Sequence, residues 1–189
     1  MMELLGVFTA FGLSASAGLN AYIPLLVVAL LAKFTDLLTL RPPWDALESW
    51  WIIGLLVVLS LIEFFADKVP AVNHINDLIQ TFIRPTAGAI AFAASANVIT
   101  DVHPVLSLGL GLLVAGGVHA VKTLAVRPAV TATTGGAGNV PVSIAEDVVS
   151  TIFSILAVVV PVVIACLLVL ITAYIIWRWY RKAKRLNTV

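Results

Sequence analysis

The chain has 189 residues, of which 61% are hydrophobic and 11% are charged, and its formal net charge is +1. Soluble domains are about half apolar and about a quarter charged. The composition therefore excludes an ordinary soluble domain and predicts an all-α integral membrane protein, with residues 1–189 forming a single membrane domain. The single cysteine, Cys166, excludes an intrachain disulfide bond.

The first apolar segment, residues 4–32, is longer than the roughly 20 residues that a membrane span requires. Its middle reads SASAGLN, and such small residues allow neighbouring helices to approach closely. Ala15-Ser16-Ala17 resembles a signal-peptidase site, but the start of the chain carries Glu3 and no Lys or Arg, and apolar sequence continues past that site. We therefore expect an uncleaved first span.

Four further apolar segments are interpreted as spans, over residues 50–66, 85–100, 105–121 and 150–180. Residues 70–84 lie between two of them and have a different pattern, because apolar side chains recur at helical spacing on one face and polar side chains occupy the other. This pattern favours an amphipathic interfacial helix that lies flat on the cytoplasmic surface of the membrane.

Residues 128–146 are small and polar, and hydropathy alone would assign them to a loop. A weak internal repeat argues otherwise. Arg84 and Arg127 each precede a proline, and each is followed at nearly the same distance by an asparagine, Asn97 or Asn139. Repeated hairpins are a common way to build membrane bundles. We therefore expect about six transmembrane helices built from hairpin-like repeats, with the fifth span irregular.

The placement of positive charge predicts the orientation. With six spans, nine of the eleven basic residues lie on the same side as both termini, including the five in the basic tail, residues 178–189. Cytoplasmic segments carry the excess of Lys and Arg in membrane proteins. We therefore expect a multi-pass protein with both termini in the cytoplasm and with membrane lipids as its partners.

Three asparagines lie in small-residue settings at comparable depths of the predicted spans: Asn20, Asn97 and Asn139. One interpretation is a substrate or ion site where broken helices meet near the middle of the membrane. The alternative is that these amides only join neighbouring helices through hydrogen bonds.

A second set of polar side chains is ionisable and lies at the cytoplasmic ends of the predicted spans: Glu63, Asp67, Arg84, His119 and Arg127. Guanidinium groups beside helix N-termini attract anions, while carboxylates and histidines in membrane segments relay protons or bind cations. The set therefore predicts a cytoplasmic vestibule. The alternative is that these residues anchor the helix ends to lipid phosphates.

Four other charged residues have a simpler explanation. Lys68 and Lys122 flank predicted spans, as basic topology signals do. Glu146 and Asp147 precede the last span, where acidic residues stabilise a helix N-terminus. On this interpretation neither pair belongs to a binding site.

The sequence contains no Cys-x-x-Cys, no His-Glu-x-x-His and no phosphate-binding glycine loop. An enzyme acting on lipid would need a nucleophile with its base, or a metal cluster, inside the bundle. Only isolated residues of these types occur, so we expect no enzyme, no cofactor and no metal. The basic tail is short and follows a span, which gives no support for nucleic-acid binding.

Three strings together resemble a bacterial integral-membrane family known only as domain of unknown function 4126: SASAGLNAYIP at residues 14–24, EFFADKVP at 63–70 and DLIQTFIRP at 77–85. The likeness covers most of the chain up to about Asp147. It implies a location in the bacterial inner membrane, and it suggests that these polar strings are the signature of the family. It implies no activity, substrate or site.

Together these features predict a small transporter or channel for a solute or ion, with the three asparagines as its central polar layer and the ionisable set at its cytoplasmic mouth. The glycine-rich helices of so small a bundle favour close neighbours and hence a homo-oligomer. The main alternative is a protein that transports nothing and binds lipid headgroups or a partner protein through residues 70–84 and the basic tail.

Overall fold

The computed structural model describes residues 2–68, 70–96 and 103–186, and this part of the chain is helical and contains no β-strand. The predicted all-α class is confirmed. The helices are α1 (Met2–Leu19), α2 (Tyr22–Phe34), α3 (Trp50–Ala66), α4 (Pro70–Ala96), α5 (Pro104–Val121), α6 (Arg127–Thr134) and α7 (Asn139–Leu186). A short 3-10 helix, Trp44–Glu48, precedes α3, and a turn of π-helix, Lys122–Val126, joins α5 to α6.

The first apolar segment is divided into two helices at Asn20 and Ala21. The Asn20 Oδ1 atom accepts hydrogen bonds from the backbone N–H groups of Tyr22 (3.1 Å) and Ile23 (3.0 Å), as an asparagine does when it caps a helix N-terminus. A side chain that bonds the backbone in this way competes with continuation of the preceding helix. Residues 4–32 are therefore not the single helix that we expected.

Helices α2 and α3 run antiparallel. At one end, Lys33 of α2 lies over the ring of Trp50 and donates a hydrogen bond to the carbonyl of Glu48 at 2.8 Å. At the other end, the backbone N–H of Ala21 donates to the Glu63 carboxylate at 3.2 Å. The break before α2 is thus placed against the C-terminal end of α3.

Small residues bring α1, α4 and α5 into close contact. Gly88 of α4 faces Gly111 and Ala115 of α5 so closely that a Cβ atom on either glycine would collide with the opposing helix. Ser14 of α1 fits against the same point and donates a hydrogen bond to the Gly111 carbonyl at 2.8 Å. Helix backbones approach in this way where small residues replace bulky side chains.

Helix α7 packs antiparallel along α1. Gly12 of α1 lies against Ala157, and the Ser16 Oγ atom donates to the carbonyl of Ser150 at 2.7 Å and lies 2.8 Å from Ser154 Oγ. These hydroxyl groups satisfy one another inside an apolar bundle, where an unpaired hydroxyl would destabilise the fold.

Residues 128–146 do not form one span. Helix α5 continues through the π-turn into α6, so that Pro104–Thr134 is one uninterrupted helix, and α7 begins at Asn139. Between them Gly135 and Gly136 have positive φ angles of 63° and 92°. Glycine adopts this conformation without strain, and it commonly ends helices. The expected irregular fifth span is therefore replaced by two helical segments and a glycine turn that reverses the chain.

The expected amphipathic helix and the third span are parts of one helix. Residues 70–84 continue through Pro85 into the rest of α4, because a proline removes one backbone hydrogen bond without necessarily ending a helix. The apolar stripe of the amphipathic part lies on the surface, with Leu78 67% and Phe82 74% exposed.

Two helices are long and apolar enough to cross a membrane: Pro104–Thr134 and Asn139–Pro161. In the first helix, only 22% of the 18-residue apolar stretch is buried within the protein. In the second helix, 28% of the corresponding stretch is buried. The core helix of a soluble protein would be mostly buried. The apolar side chains of these helices instead face outward, which is the arrangement that contact with lipid requires.

Candidate functional site

Charged side chains meet where the break between α1 and α2 lies beside the end of α3. We call this set the ionic cluster, and it consists of four acids and four bases: Glu63, Asp67, Glu146 and Asp147 with Lys68, Arg84, Lys122 and Arg127. Each member forms at least one ion pair of 3.6 Å or less with another member. The formal charges of the eight side chains sum to zero.

Arg84, in the middle of α4, joins Glu63 in the last turn of α3 to Asp67 directly after that helix. Glu63 and Asp67 are four residues apart and therefore share one face of their helix. The Arg84 Nη2 atom lies 2.8 Å from Glu63 Oε1 and 3.4 Å from Asp67 Oδ2, and Arg84 Nε lies 3.1 Å from the same Glu63 oxygen. Arg84 is fully buried. Because a guanidinium group keeps its proton in proteins, it is a fixed positive charge inside the bundle.

Asp67 lies in the turn after α3 and links several helices. Its Oδ1 atom accepts a hydrogen bond from Asn76 Nδ2 at 2.6 Å, and its Oδ2 atom accepts one from Ser143 Oγ at 3.3 Å. The side-chain nitrogens of Lys122 and Arg127 lie 3.6 Å from the same Oδ2. Burial alone would raise the pKa of this carboxyl group, but the neighbouring positive charges, first that of Lys122, outweigh burial and hold the pKa below its ordinary value. Asp67 is therefore a carboxylate.

The π-turn brings Lys122 and Arg127 to the same side of their helix. The backbone N–H of Arg127 donates to the carbonyl of Lys122, five residues earlier, so the two residues lie one turn apart. In an α-helix, with 3.6 residues per turn, they would point about 140° apart. Both side chains reach Glu146 Oε2 at 2.9 Å. Lys122 Nζ also donates at 3.2 Å to the carbonyl of Leu19, at the end of α1, where helix carbonyls lack partners of their own.

Asn20 connects the break in the first segment to α7. Its Nδ2 atom donates to Asp147 Oδ1 at 3.0 Å, and Lys68 Nζ pairs with the other oxygen of Asp147 at 3.0 Å. Because Asn20 Oδ1 caps α2 at the same time, one side chain fixes the start of α2 relative to α7.

His119 is buried at the edge of the cluster, between two residues of α4. Its Nδ1 atom lies 3.4 Å from Arg84 Nη1, and its Nε2 atom lies 3.2 Å from Thr81 Oγ1. A guanidinium only donates, so Nδ1 accepts and the imidazole is neutral with its proton on Nε2. Across the described ranges, no three His, Cys, Asp or Glu side chains are grouped as metal ligands would be.

Several buried polar atoms beside the cluster have no hydrogen-bond partner among the described residues: Nε and Nη1 of Arg127, Oδ1 of Asp77 and Oε1 of Gln80. Nearly all buried polar groups in proteins are hydrogen-bonded, so each exception requires an explanation. These four atoms are the unsatisfied polar groups beside the ionic cluster.

A groove of 670 Å³ runs between α5 and α7 and opens to the outer surface. Its walls are apolar and include Leu113, Val118 and Val149, whereas Lys122 and Glu146 lie in its lining. The groove therefore leads from the apolar exterior to one ion pair of the cluster.

Six of the eight residues that the sequence suggested for a site lie in or beside the cluster: Asn20, Glu63, Asp67, Arg84, His119 and Arg127. Asn139 does not join them. Its Nδ2 atom donates to Thr131 Oγ1 near the turn between α6 and α7, and eight residues of α7, about 12 Å along the axis, separate it from Asp147. Asn97 lies outside the described residues. The expected layer of amides is therefore not formed between Asn20 and Asn139.

Four members of the cluster were not expected from the sequence: Lys68, Lys122, Glu146 and Asp147. The two lysines resembled topology signals, and the two acids resembled a helix cap. The cap interpretation is wrong because α7 begins at Asn139, two turns before Glu146. Charge balance is the signal that would have found all four, since a charge buried in an apolar bundle requires an opposite partner.

The fold and the cluster define a class of protein: an all-helical bundle that has an apolar exterior, helices able to cross a membrane, and a neutral network of buried ion pairs. The family model described as "Domain of unknown function (DUF4126)" matches residues 7–181, and the chain belongs to that family. The resemblance carried by the three sequence strings is thereby confirmed. No curated protein and no solved structure matches the chain.

Proposed function

We propose that this protein is a membrane transporter for a small polar solute and that the ionic cluster is its substrate site. The observation that carries the proposal is the placement of eight largely buried, mutually paired charges within a bundle whose outer surface is apolar. Charged side chains within membrane helices are unfavourable, and where they occur they commonly mark the path of a solute, an ion or a proton.

In this proposal helices α1 to α5 and α7 are embedded in the bacterial cytoplasmic membrane. Helix α1 has 18 residues, about 27 Å at 1.5 Å per residue, which is close to the roughly 30 Å hydrocarbon thickness of a bilayer. Trp44, Trp50 and Trp51 are near one another in the sequence, just before and at the start of α3, and tryptophans favour the membrane interface. Six membrane helices would leave both termini on one side, and the basic tail favours the cytoplasm for that side.

Structural stability alone does not account for the cluster. Replacing buried ion pairs by apolar side chains of similar size is often neutral or stabilising. The close contacts at Gly88 and Gly111 and the hydrogen bonds of Ser16 already hold the helices together. The charges therefore favour a role in binding.

Exchange of ion-pair partners supplies a means of transport. Lys122 and Arg127 share Glu146, and both also approach Asp67. A solute that pairs with one of these side chains releases its former partner for another, so a small movement switches the cluster between two fully paired arrangements. The π-turn and the break at Asn20 are irregular backbone beside the cluster, a feature of transporter sites, and they are the points at which the helices would bend.

The groove between α5 and α7 favours a second candidate function, which is the binding of a lipid without transport. Its apolar walls suit an alkyl chain, and Lys122 and Glu146 in its lining suit a polar headgroup. The exposed apolar stripe of α4 adds surface of the same kind.

Solute uptake into liposomes tests the first proposal. The purified protein would be reconstituted, and the uptake of radiolabelled acetate, methylammonium, glycine and glycerol compared with protein-free liposomes. We expect uptake of at least one solute, reduced about tenfold or more in Arg127→Gln, because a hydrogen bond to a charged group contributes about 1.5–3 kcal/mol. Arg41→Gln is the matched control, since Arg41 is exposed in the loop before α3.

Uptake of none of the four solutes would overturn the transport proposal. Uptake that Arg127→Gln leaves unchanged would place the route outside the cluster. The lipid alternative is measured separately, by native mass spectrometry of lipids retained by the wild-type protein and by a Val118→Trp variant, in which the larger side chain fills the groove.

A further inference from the structure

The groove between α5 and α7 continues into a second, smaller cavity. Leu19, Val118 and Val149 line both of them. The groove reaches Val142 of α7, and the second cavity, of 170 Å³, reaches Phe153 of the same helix. Together they follow α7 for about 16 Å at 1.5 Å per residue. We call the two cavities the apolar trough, and its length and its walls suit an alkyl chain.

Glu146 presents a free carboxylate oxygen to the apolar trough. Lys122 and Arg127 both pair with its Oε2 atom, each at 2.9 Å. The other oxygen, Oε1, has no hydrogen bond or ion pair with any described residue, and it is not one of the buried unpaired atoms. The Glu146 side chain lines the groove and is 10% exposed. A charged hydrogen-bond acceptor is therefore open to a largely apolar trough.

The position of Glu146 matches the depth of lipid headgroups. Three helices end beside the ionic cluster, at Leu19, Ala66 and Val121, and each has 17 or 18 residues. They are therefore about 26–27 Å long, close to the roughly 30 Å thickness of the hydrocarbon core. Lys122, which pairs with Glu146, directly follows one of these ends. In the membrane arrangement proposed above, Glu146 lies near the boundary between headgroups and acyl chains.

We propose that a phospholipid with a primary ammonium headgroup, of the phosphatidylethanolamine class, binds in the apolar trough. One acyl chain lies between α5 and α7, and the ammonium group donates a hydrogen bond to Glu146 Oε1. An ammonium group suits this oxygen because it carries three donors and the opposite charge. The groove opens to the apolar exterior, which lipid surrounds. The inference rests on the lipid binding proposed as the second function and names the class of lipid.

Lipids that differ only in the headgroup test the inference. Native mass spectrometry of the full chain, titrated in detergent micelles, gives a Kd for each dioleoyl lipid. Phosphatidylcholine has the acyl chains, phosphate and net charge of phosphatidylethanolamine, but its quaternary ammonium carries no N–H group. We expect phosphatidylethanolamine to bind at least about tenfold more tightly, because phosphatidylcholine cannot form the hydrogen bond to the charged carboxylate. The anionic phosphatidylglycerol is expected to bind no better than phosphatidylcholine.

Two variants separate the contribution of the acyl chain from that of the headgroup. Gly117 lines the groove, and an added Cβ atom there would meet nothing within 4 Å. Gly117→Phe therefore fills the groove without disturbing the helix contacts and is expected to weaken the binding of all three lipids about tenfold or more. Gly109→Phe, in equally open space on the same helix but outside the trough, is the matched control and is expected to bind as the wild-type protein does.

Glu146→Gln removes the charge of the acceptor. We expect the preference for phosphatidylethanolamine over phosphatidylcholine to fall below about threefold in this variant, because the hydrogen bond is then made to a neutral group. Glu146 also belongs to the ionic cluster, so circular dichroism is needed to show that the variant is folded. If it does not fold, the ratio of the two Kd values in the wild-type protein, together with Gly117→Phe, decides the inference.

Equal affinity for phosphatidylethanolamine and phosphatidylcholine, or tightest binding of phosphatidylglycerol, would overturn the inference. Lipid binding in the groove would stand if Gly117→Phe still weakened it. Unchanged binding in Gly117→Phe would overturn both the inference and the lipid function of the groove. Conversion of an oligomer into a monomer by Gly117→Phe, seen in the same spectra, would assign the trough to a second copy of the chain and overturn the inference. None of these results depends on solute uptake, which tests the transport proposal separately.

Discussion

Replacing Arg84 by methionine tests whether the ionic cluster is a dehydrated network. Arg84 is fully buried, and its guanidinium group lies 2.8 Å from Glu63 and 3.4 Å from Asp67. Removing one partner of a buried ion pair leaves the other charge uncompensated, at a cost of about 3–5 kcal/mol. We expect Arg84→Met to lower the free energy of unfolding by about that amount, since Asp67 retains other cations and Glu63 does not.

A second substitution, Glu63→Leu, removes the carboxylate that Arg84→Met leaves unpaired. The double variant is expected to recover most of the lost stability, because a well-packed apolar replacement of a buried pair is often neutral or better. Unfolding in mixed micelles with increasing amounts of a denaturing detergent, followed by circular dichroism, gives the free energy for each variant. The double-mutant cycle then gives the coupling between the two residues.

The control for this experiment is Arg41→Met in the exposed loop before α3, which is expected to change stability by less than about 0.5 kcal/mol. If Arg84→Met costs less than about 1 kcal/mol, the pair behaves as a solvated surface ion pair. That result would show that water reaches the ionic cluster.

Two further pairs of variants test the helix contacts, each by thermal unfolding in detergent. Gly111→Ala adds a Cβ atom that meets the Gly88 carbonyl, and we expect it to destabilise the protein by about 1–3 kcal/mol; Gly109→Ala, on the same helix with open space around it, is expected to have little effect. Asn20→Ala removes the cap of α2 and the hydrogen bond to α7, which we expect to cost about 1–2 kcal/mol, whereas Asn139→Ala, near the exposed turn, is expected to change stability by less than about 0.5 kcal/mol. Equal shifts within either pair would contradict the contacts assigned to it.

The sequence was sufficient to find half of the ionic cluster. Glu63 and His119 stand in apolar surroundings, where an ionisable side chain needs a partner, and both are buried against Arg84. Lys122 was misjudged because a lysine at the end of an apolar run looks the same whether it contacts lipid phosphates or points inward. Only its position between Asp67 and Glu146 distinguishes the two cases.

The boundaries of the helices were harder to predict for a different reason. Hydropathy averages over a window, so it registered residues 4–32 as continuously apolar and could not detect that Asn20 caps a new helix there. Residues 128–146 were assigned to one span because of the internal repeat, and a repeat of this kind does not reveal that Gly135 and Gly136 reverse the chain inside them. Local backbone hydrogen bonding and positive φ angles decide these places, and neither contributes to apolarity.

The π-turn has a consequence for changes in chain length. Each residue of an α-helix rotates the chain by about 100°, so the insertion of one residue within Lys122–Val126 would swing Arg127 away from Glu146 and break the cluster at its centre. The glycine turn at residues 135 to 138 contains no buried residue, and its residues form none of the ion pairs. An insertion of one residue is therefore expected to disrupt the ionic cluster when it falls in the π-turn and to leave the cluster intact when it falls in the glycine turn. Only about a dozen positions separate the two turns.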